Sequence, residues 1–295
     1  MRLDFVGVGA ARCGTTWLAK CLGAHPAIFL PERKELHFFN DDRKYEPGLA
    51  WLRPHLAGAA PEQVVGEFTP RYLISRTALE RLRRHFPEAR PLVLLRDPVE
   101  RAISQYRYFR FVKRKEPERD LLVALDGVYH EDYVVKGRYA GQLETLFELF
   151  PRERVWVGLY DDIAAGSARL IAEVYAFLGV DPSFRPPLLD RVVNAAPTTR
   201  GDAPRAWSLF VRWLTRTPVG LVGRRRGRLL SWAEGGNRFW DRHGRAIRFQ
   251  DPPAEVLDEI YRSRFAADVE ATERLLGRDL SAWKRGRPEP VAATR

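Results

Sequence analysis

Four short apolar runs punctuate the first 160 residues of the chain: LDFVGVG, VVGEFT, PLVLLR and RVWVGLY, each rich in β-branched residues. Runs of this kind read as strands buried on both faces, the pattern of a parallel sheet. Between and after them, TTWLAKCLGAH, SRTALERLRRHF, PVERAISQYRYFRFV, GQLETLFELF and SARLIAEVYAFLG repeat their apolar positions every three or four residues, which predicts helices. The alternation predicts an α/β fold, a central parallel sheet flanked by helices, with ligands at the C-terminal ends of the strands. AEVLDEIYRSRFAADVEATERLL predicts a terminal helix.

One stretch breaks the pattern. Residues 205–248 hold eleven arginines against two acids, Glu234 and Asp241, and so supply most of the net charge of +11. Its first part, PRAWSLFVRWLTRTP, sets Trp207, Phe210, Val211 and Leu214 on one helical stripe and Arg205, Arg212 and Arg216 on the opposite one. Bounded by Pro204 and Pro218, this predicts an amphipathic helix inside an arginine-rich helical insertion, residues 199–248, that serves as a lid over an acceptor. The expected organisation is one domain over 1–284 with that insertion, then a frayed tail over 285–295.

The charge points to an anionic partner: a nucleotide, a sulfated or phosphorylated acceptor, nucleic acid or a lipid surface. No apolar run approaches the roughly 18 residues of a membrane span, and LDFVGVGA is too short for a secretory signal, so a cytoplasmic location is expected. The insertion over 205–230 allows peripheral membrane contact. Cys13 and Cys21 lie about 12 Å apart along a helix, too far to bridge, and read as small buried residues.

The sharpest chemical signal is GAARCGTT. Gly9 and Gly14 have the spacing of a phosphate-binding loop, and the loop follows a predicted strand and opens a helix. Thr15 and Thr16 stand where a nucleotide triphosphatase carries its Lys-Ser/Thr pair, so metal-bound triphosphate is a poor fit. Arg12 is the cation inside the loop. With no H-x-x-x-H pair or Cys/His cluster, no metal is expected.

RCGTTWL resembles the 5′-phosphosulfate loop of sulfotransferases that use 3′-phosphoadenosine 5′-phosphosulfate (PAPS). The resemblance implies that Arg12, Cys13, Gly14, Thr15, Thr16 and Trp17 cradle the donor, with Arg12 where the family usually has lysine. PLVLLRDPVERAISQY resembles the family's 3′-phosphate site, which implies Arg96 and Ser104 as contacts; Asp97 and Pro98 suit the start of a helix. GRYAGQLETLFELF adds Arg138 toward the 3′-phosphate and Tyr139 beside the adenosine. PERKELHFFN resembles the K-E-x-H-F-F segment of the glycosaminoglycan type, which implies Glu35 as general base, His37 as its assistant and Lys34 as a donor or acceptor contact. VVGEFTPRYL resembles G-E-x-[ST]-P-x-Y, with Glu67 either a second carboxylate of the acceptor pocket or the ion-pair partner of a neighbouring arginine, and Phe68 in place of a substrate-positioning lysine.

The resemblance covers roughly residues 4–182, with an echo in LLGRDLSAW. GNRFWDRHGRAIRF is the nearest candidate for the family's late basic loop, with Arg242 and Arg245 as phosphate contacts. The implied reaction is sulfuryl transfer from PAPS to a hydroxyl of a carbohydrate or small-molecule acceptor, less readily an amine, leaving 3′-phosphoadenosine 5′-phosphate (PAP) and using no metal. Nucleic acid is not an expected partner, and the sequence leaves the oligomeric state open. Two alternatives stand beside it: a phosphotransferase of the same fold, and a non-catalytic protein that grips nucleic acid or acidic lipid through its arginines.

Overall fold

In the computed structural model, the described residues are 1–189, 199–201, 205–216, 246–284 and isolated positions between 229 and 239. Where one domain over 1–284 is expected, contacts group the chain into two compact units. The first comprises Met1–Asp97, Arg138–Asn194 and Ala267–Trp283; the second comprises Pro98–Gly137, Ala195–Ala266 and Lys284–Arg295. The tail 285–295 lies outside the described residues.

The first unit carries a five-stranded parallel sheet: β1 (Phe5–Gly9), β2 (Ile28–Phe29), β3 (Val64–Phe68), β4 (Arg90–Leu95) and β5 (Trp156–Leu159), in the order β2-β3-β1-β4-β5. The two-residue edge strand β2 gives no periodic signal, and its sequence, PAIFL, predicts nothing on its own. Register follows from two aromatic–glycine exchanges between β1 and β3. Phe5 pairs with Gly66 and Gly7 with Phe68. A side chain at Gly7 would lie 1.9 Å from the Phe68 ring, and one at Gly66 2.1 Å from Phe5. The glycines therefore make room for the two rings, which meet edge to face at 6.2 Å.

Helix Thr15–Gly23 buries Trp17, Leu18, Cys21 and Leu22 against Phe5 and Leu92 of the sheet and against Leu170, Ile171, Val174 and Tyr175 of helix Tyr160–Leu178. Each such large side chain contributes about 1.5–3 kcal/mol on burial. Both cysteines are buried thiols outside any disulfide, and burial pushes the Cys21 thiol up to about 12. Helix Arg76–His85 starts at Ser75, whose hydroxyl accepts the Ala78 N–H at 3.2 Å.

Chain order reverses at β1: β3 lies on one side and β4 on the other. In open parallel sheets this switch point, at the C-terminal strand ends, opens the ligand crevice.

In the second unit, helix Pro98–Arg107 continues into a π-helical turn, Tyr108–Val112. Its buried Arg101 donates to the carbonyls of Asp132 and Tyr133 at 2.7 and 2.5 Å. The predicted insertion begins and ends in a two-stranded antiparallel ribbon, β6 (Thr199–Gly201) with β7 (Ala246–Arg248). The predicted amphipathic helix is present as Arg205–Arg216. Among the described residues no helix is long and apolar enough to cross a membrane.

Candidate active site

Three segments of the first unit leave adjacent strands of the sheet at the same edge. The loop after β1 runs from Ala10 to Gly14, where Gly14 takes φ 89° as the N-cap of helix Thr15–Gly23. A left-handed N-cap turns the chain sharply and leaves the first helical N–H groups aimed outward, with no intrahelical acceptors. Arg12 also has a positive φ, 72°. Cys13 has a fully buried side chain, and its N–H closes a turn onto the Ala10 carbonyl at 3.3 Å.

Arg96 follows β4, and its guanidinium lies over the Tyr160 ring at 4.7 Å. The same ring fills the space beside Gly14, where a Cβ would come within 3.0 Å of it. Tyr160 thus spaces the loop from Arg96, a role no sequence motif announces. Tyr139 performs a second tie. Its hydroxyl donates to the Arg96 carbonyl at 2.8 Å and meets Cys13 Sγ at 3.6 Å, and the ring is fully buried. Asp268, near the far end of the chain, accepts the Tyr139 and Ala140 N–H groups at 2.6 and 3.2 Å.

The third segment is built on the end of β3. The Glu35 N–H donates to the Phe68 carbonyl at 2.9 Å, and the His37 N–H donates to Thr69 Oγ1 at 3.3 Å. Both residues have positive φ, 65° and 58°, so the short stretch between them is tightly coiled. That conformation brings Lys34 Nζ to 2.8 Å from one Glu35 oxygen and His37 Nε2 to 3.7 Å from the other. The facing His37 imidazole and the Lys34 ammonium together hold the Glu35 carboxyl down to about 2, despite partial burial. His37 Nδ1 faces Asn40 Oδ1 at 3.2 Å, which orients the ring.

Beneath this stretch, Glu67 is 1% exposed and accepts the Thr69 hydroxyl at 2.9 Å through Oε2, while Oε1 has no hydrogen-bond partner among the described residues. Burial pushes its carboxyl up to about 7, with Thr69 and Tyr72 opposing. Beside His37 an open cleft of about 550 Å³ is lined by Arg43, Lys44 and Arg71 and also by Asp41 and Asp42; Arg43 pairs with Asp41 at 3.3 Å, and Lys44 donates to the Leu36 carbonyl at 2.5 Å.

Three expected contacts are buried: Trp17, Phe68 and Tyr139. Trp17 is packed into the core with its indole N–H on the Leu189 carbonyl at 3.0 Å, because its helix turns that face to the sheet. Phe68 is 3% exposed against Phe5 rather than lining an acceptor pocket. Tyr139 supports the loop from inside and offers no ring face to an adenosine. Arg138 is exposed at the start of helix Ala140–Leu149. Ser104 lies on helix Pro98–Arg107, within the second unit. Arg242 and Arg245 lie outside the described residues. Thr69 and Tyr160 are the positions that sequence reasoning missed; Thr69 is in a quoted motif, but its two hydrogen bonds appear only on folding.

The sulfotransferase domain family matches residues 3–196. The chain is 33% identical over 99 residues to heparan sulfate glucosamine 3-O-sulfotransferase 5 of Mus musculus, covering 34% of this chain and 28% of that protein. It is 31% identical over 177 residues to heparan sulfate glucosamine 3-O-sulfotransferase 6 of Homo sapiens, covering 59% and 51%. The chain thus spans about half or less of these curated relatives' length. A sulfotransferase from Alicyclobacillus acidocaldarius has a similar structure, with TM-score 0.66 and 25% identity, covering 97% of this chain and all of that one. These findings lend no support to the phosphotransferase or binding-only readings.

Proposed function

Because the chain belongs to the sulfotransferase domain family, we propose that it transfers a sulfuryl group from PAPS to a hydroxyl of a carbohydrate acceptor. The observation that carries this reading is Glu35: a carboxylate held ionised between Lys34 and His37, on the same sheet edge as the Gly14 loop and Arg96.

The residues present fit the donor. Gly14 opens the N-terminus of a nine-residue helix, Thr15 and Thr16 add hydroxyls there, and Arg12 supplies a fixed positive charge. Arg96, braced on Tyr160, offers a bidentate fork for a terminal phosphate. When bound, PAPS supplies an electrophilic sulfur and a phosphate leaving group.

Glu35 receives the proton that the acceptor hydroxyl loses as its oxygen bonds to sulfur and the bond from sulfur to the bridging oxygen breaks. A carboxylate near 2 is a weak base, so the acceptor must displace the Lys34 ammonium as it binds, and loss of that partner raises the basicity of Glu35. His37 holds the second oxygen of Glu35 and limits its rotation. Arg12 offsets charge on the departing phosphate; it remains protonated throughout and does not act as an acid. Arg71, exposed in the cleft beside His37, orients the acceptor sugar.

The test is incubation with radiolabelled PAPS and a panel of glycans, glycolipids and phenols. Label on a carbohydrate supports the reading. Label on no acceptor, with no thermal stabilisation by PAP, defeats it.

A further inference from the structure

The second unit carries an exposed apolar surface on the predicted insertion. Among the described residues, the exposed aromatic rings are Trp213, Trp232 and Phe239, at 56%, 60% and 50%, and Leu209 is exposed beside them at 37%. Underneath, Val211, Leu214 and Ala233 are buried, so helix Arg205–Arg216 already has a core face and presents a second apolar flank outward.

The rings form a fixed cluster. Trp207 packs on Phe210 at 5.7 Å and on Trp232 at 5.3 Å, and Phe210 meets Trp213 at 6.1 Å and Trp232 at 5.7 Å. Trp207 is further pinned by its indole N–H on Asn237 Oδ1 at 2.8 Å. Helical spacing places Leu209 and Trp213 one turn apart, with Arg205, Arg212 and Arg216 each three or four residues from one of them. The sequence around the cluster is strongly one-signed, with eleven arginines against two acids over 205–248 and no lysine.

This combination selects its partner. Tryptophans clustered on and beside an amphipathic helix, whose sequence carries arginine on the adjoining stripe, match the headgroup zone of a bilayer, where rings enter the acyl boundary and guanidinium groups stay at the phosphates. Single-stranded nucleic acid needs open ring faces for stacking. Here the rings cross at 33° to 88° and pack on one another, which presents edges and a continuous apolar surface instead. We propose that the Leu209–Trp213–Trp232 surface docks the protein on an anionic lipid bilayer. The inference does not depend on the sulfuryl-transfer reading.

Flotation of the full chain tests it, using phosphatidylcholine vesicles with and without about 30 mol % phosphatidylglycerol. The protein should float with the anionic vesicles only, and its tryptophan emission should shift to the blue. Trp213→Ser with Trp232→Ser should lower partitioning at least about tenfold at an unchanged thermal midpoint. If that variant misfolds, brominated phosphatidylcholine in the anionic vesicles provides the second readout, because inserted indoles of the unaltered protein must be quenched. Absence of flotation, absence of quenching, or partitioning indifferent to the tryptophan changes overturns the proposal. So does displacement from the vesicles by duplex DNA at equal charge concentration, which would make the surface a nucleic-acid site.

Discussion

The backbone N–H of His37 donates to the hydroxyl oxygen of Thr69 at 3.3 Å, and that hydroxyl donates in turn to buried Glu67 at 2.9 Å. A residue with positive φ, whose ring faces the candidate base, is therefore anchored to the interior of the sheet through one hydroxyl group. Thr69 acts through His37 and is a positioning residue.

Thr69→Val should keep the fold but leave the His37 N–H and the second Glu67 oxygen without their partner. We expect kcat to fall about tenfold with KM for PAPS little changed, given roughly 1.4 kcal/mol per decade of rate. Thr69→Ser should restore most of the loss. A uniform drop in thermal midpoint with kcat intact would show that the hydroxyl serves only stability.

Glu67 makes stability depend on pH. Its folded carboxyl titrates near 7, above its ordinary 4.5, because burial disfavours the charged form. Below about 4.5 both folded and unfolded chains hold the proton. As pH rises toward 7 the unfolded chain releases it first, so the stabilisation is lost across that window and levels off above it. Glu67→Gln removes the titration, and its stability relative to the unaltered protein should grow between pH 5 and 8 by up to about 3 kcal/mol. A difference that is flat with pH in denaturant titrations would contradict the assignment.

Gly14 and Arg96 share the Tyr160 ring, and both should report on donor binding. Gly14→Ala puts a side chain at φ 89° and crowds Tyr160, so PAP should no longer raise the thermal midpoint. Arg96→Lys keeps the charge but loses the planar fork and ring stacking, and should weaken PAP about tenfold by calorimetry. Equal affinity in Arg96→Lys would remove Arg96 from the phosphate site.

Arg12 is tested by comparing two replacements. Arg12→Ala should cost about 100-fold in kcat, as loss of one preorganised charge does in comparable sites. Arg12→Lys should stay within about tenfold, because fixed charge rather than proton donation is what the position supplies. A lysine variant faster than the parent above pH 8 would instead mean that the leaving group needs an acid.

Much of this site was legible in sequence because its parts are local. GAARCGTT and RDPVERAIS each follow directly on an apolar run that forms a strand, whereas KELHFF is recognised by its motif and docks on the end of β3. What stayed hidden depends on distant partners. Tyr160 follows β5, yet matters because β5 lies next to β4 and puts the ring beneath Arg96. Asp268 reaches Tyr139 across 129 residues. Trp17 and Phe68 fall inside motifs but turn inward, since a strand or helix face is assigned by packing, not by proximity to a motif. The edge strand β2 is too short to show any period.

The central claim is that Glu35 takes the acceptor proton. Single-turnover transfer of label from PAPS to a desulfated heparan acceptor, measured in parallel with PAP binding, tests it most directly for Glu35→Gln. The account predicts a rate lower by about 100-fold to 10,000-fold with PAP affinity unchanged. Transfer at the parent rate by Glu35→Gln would contradict it.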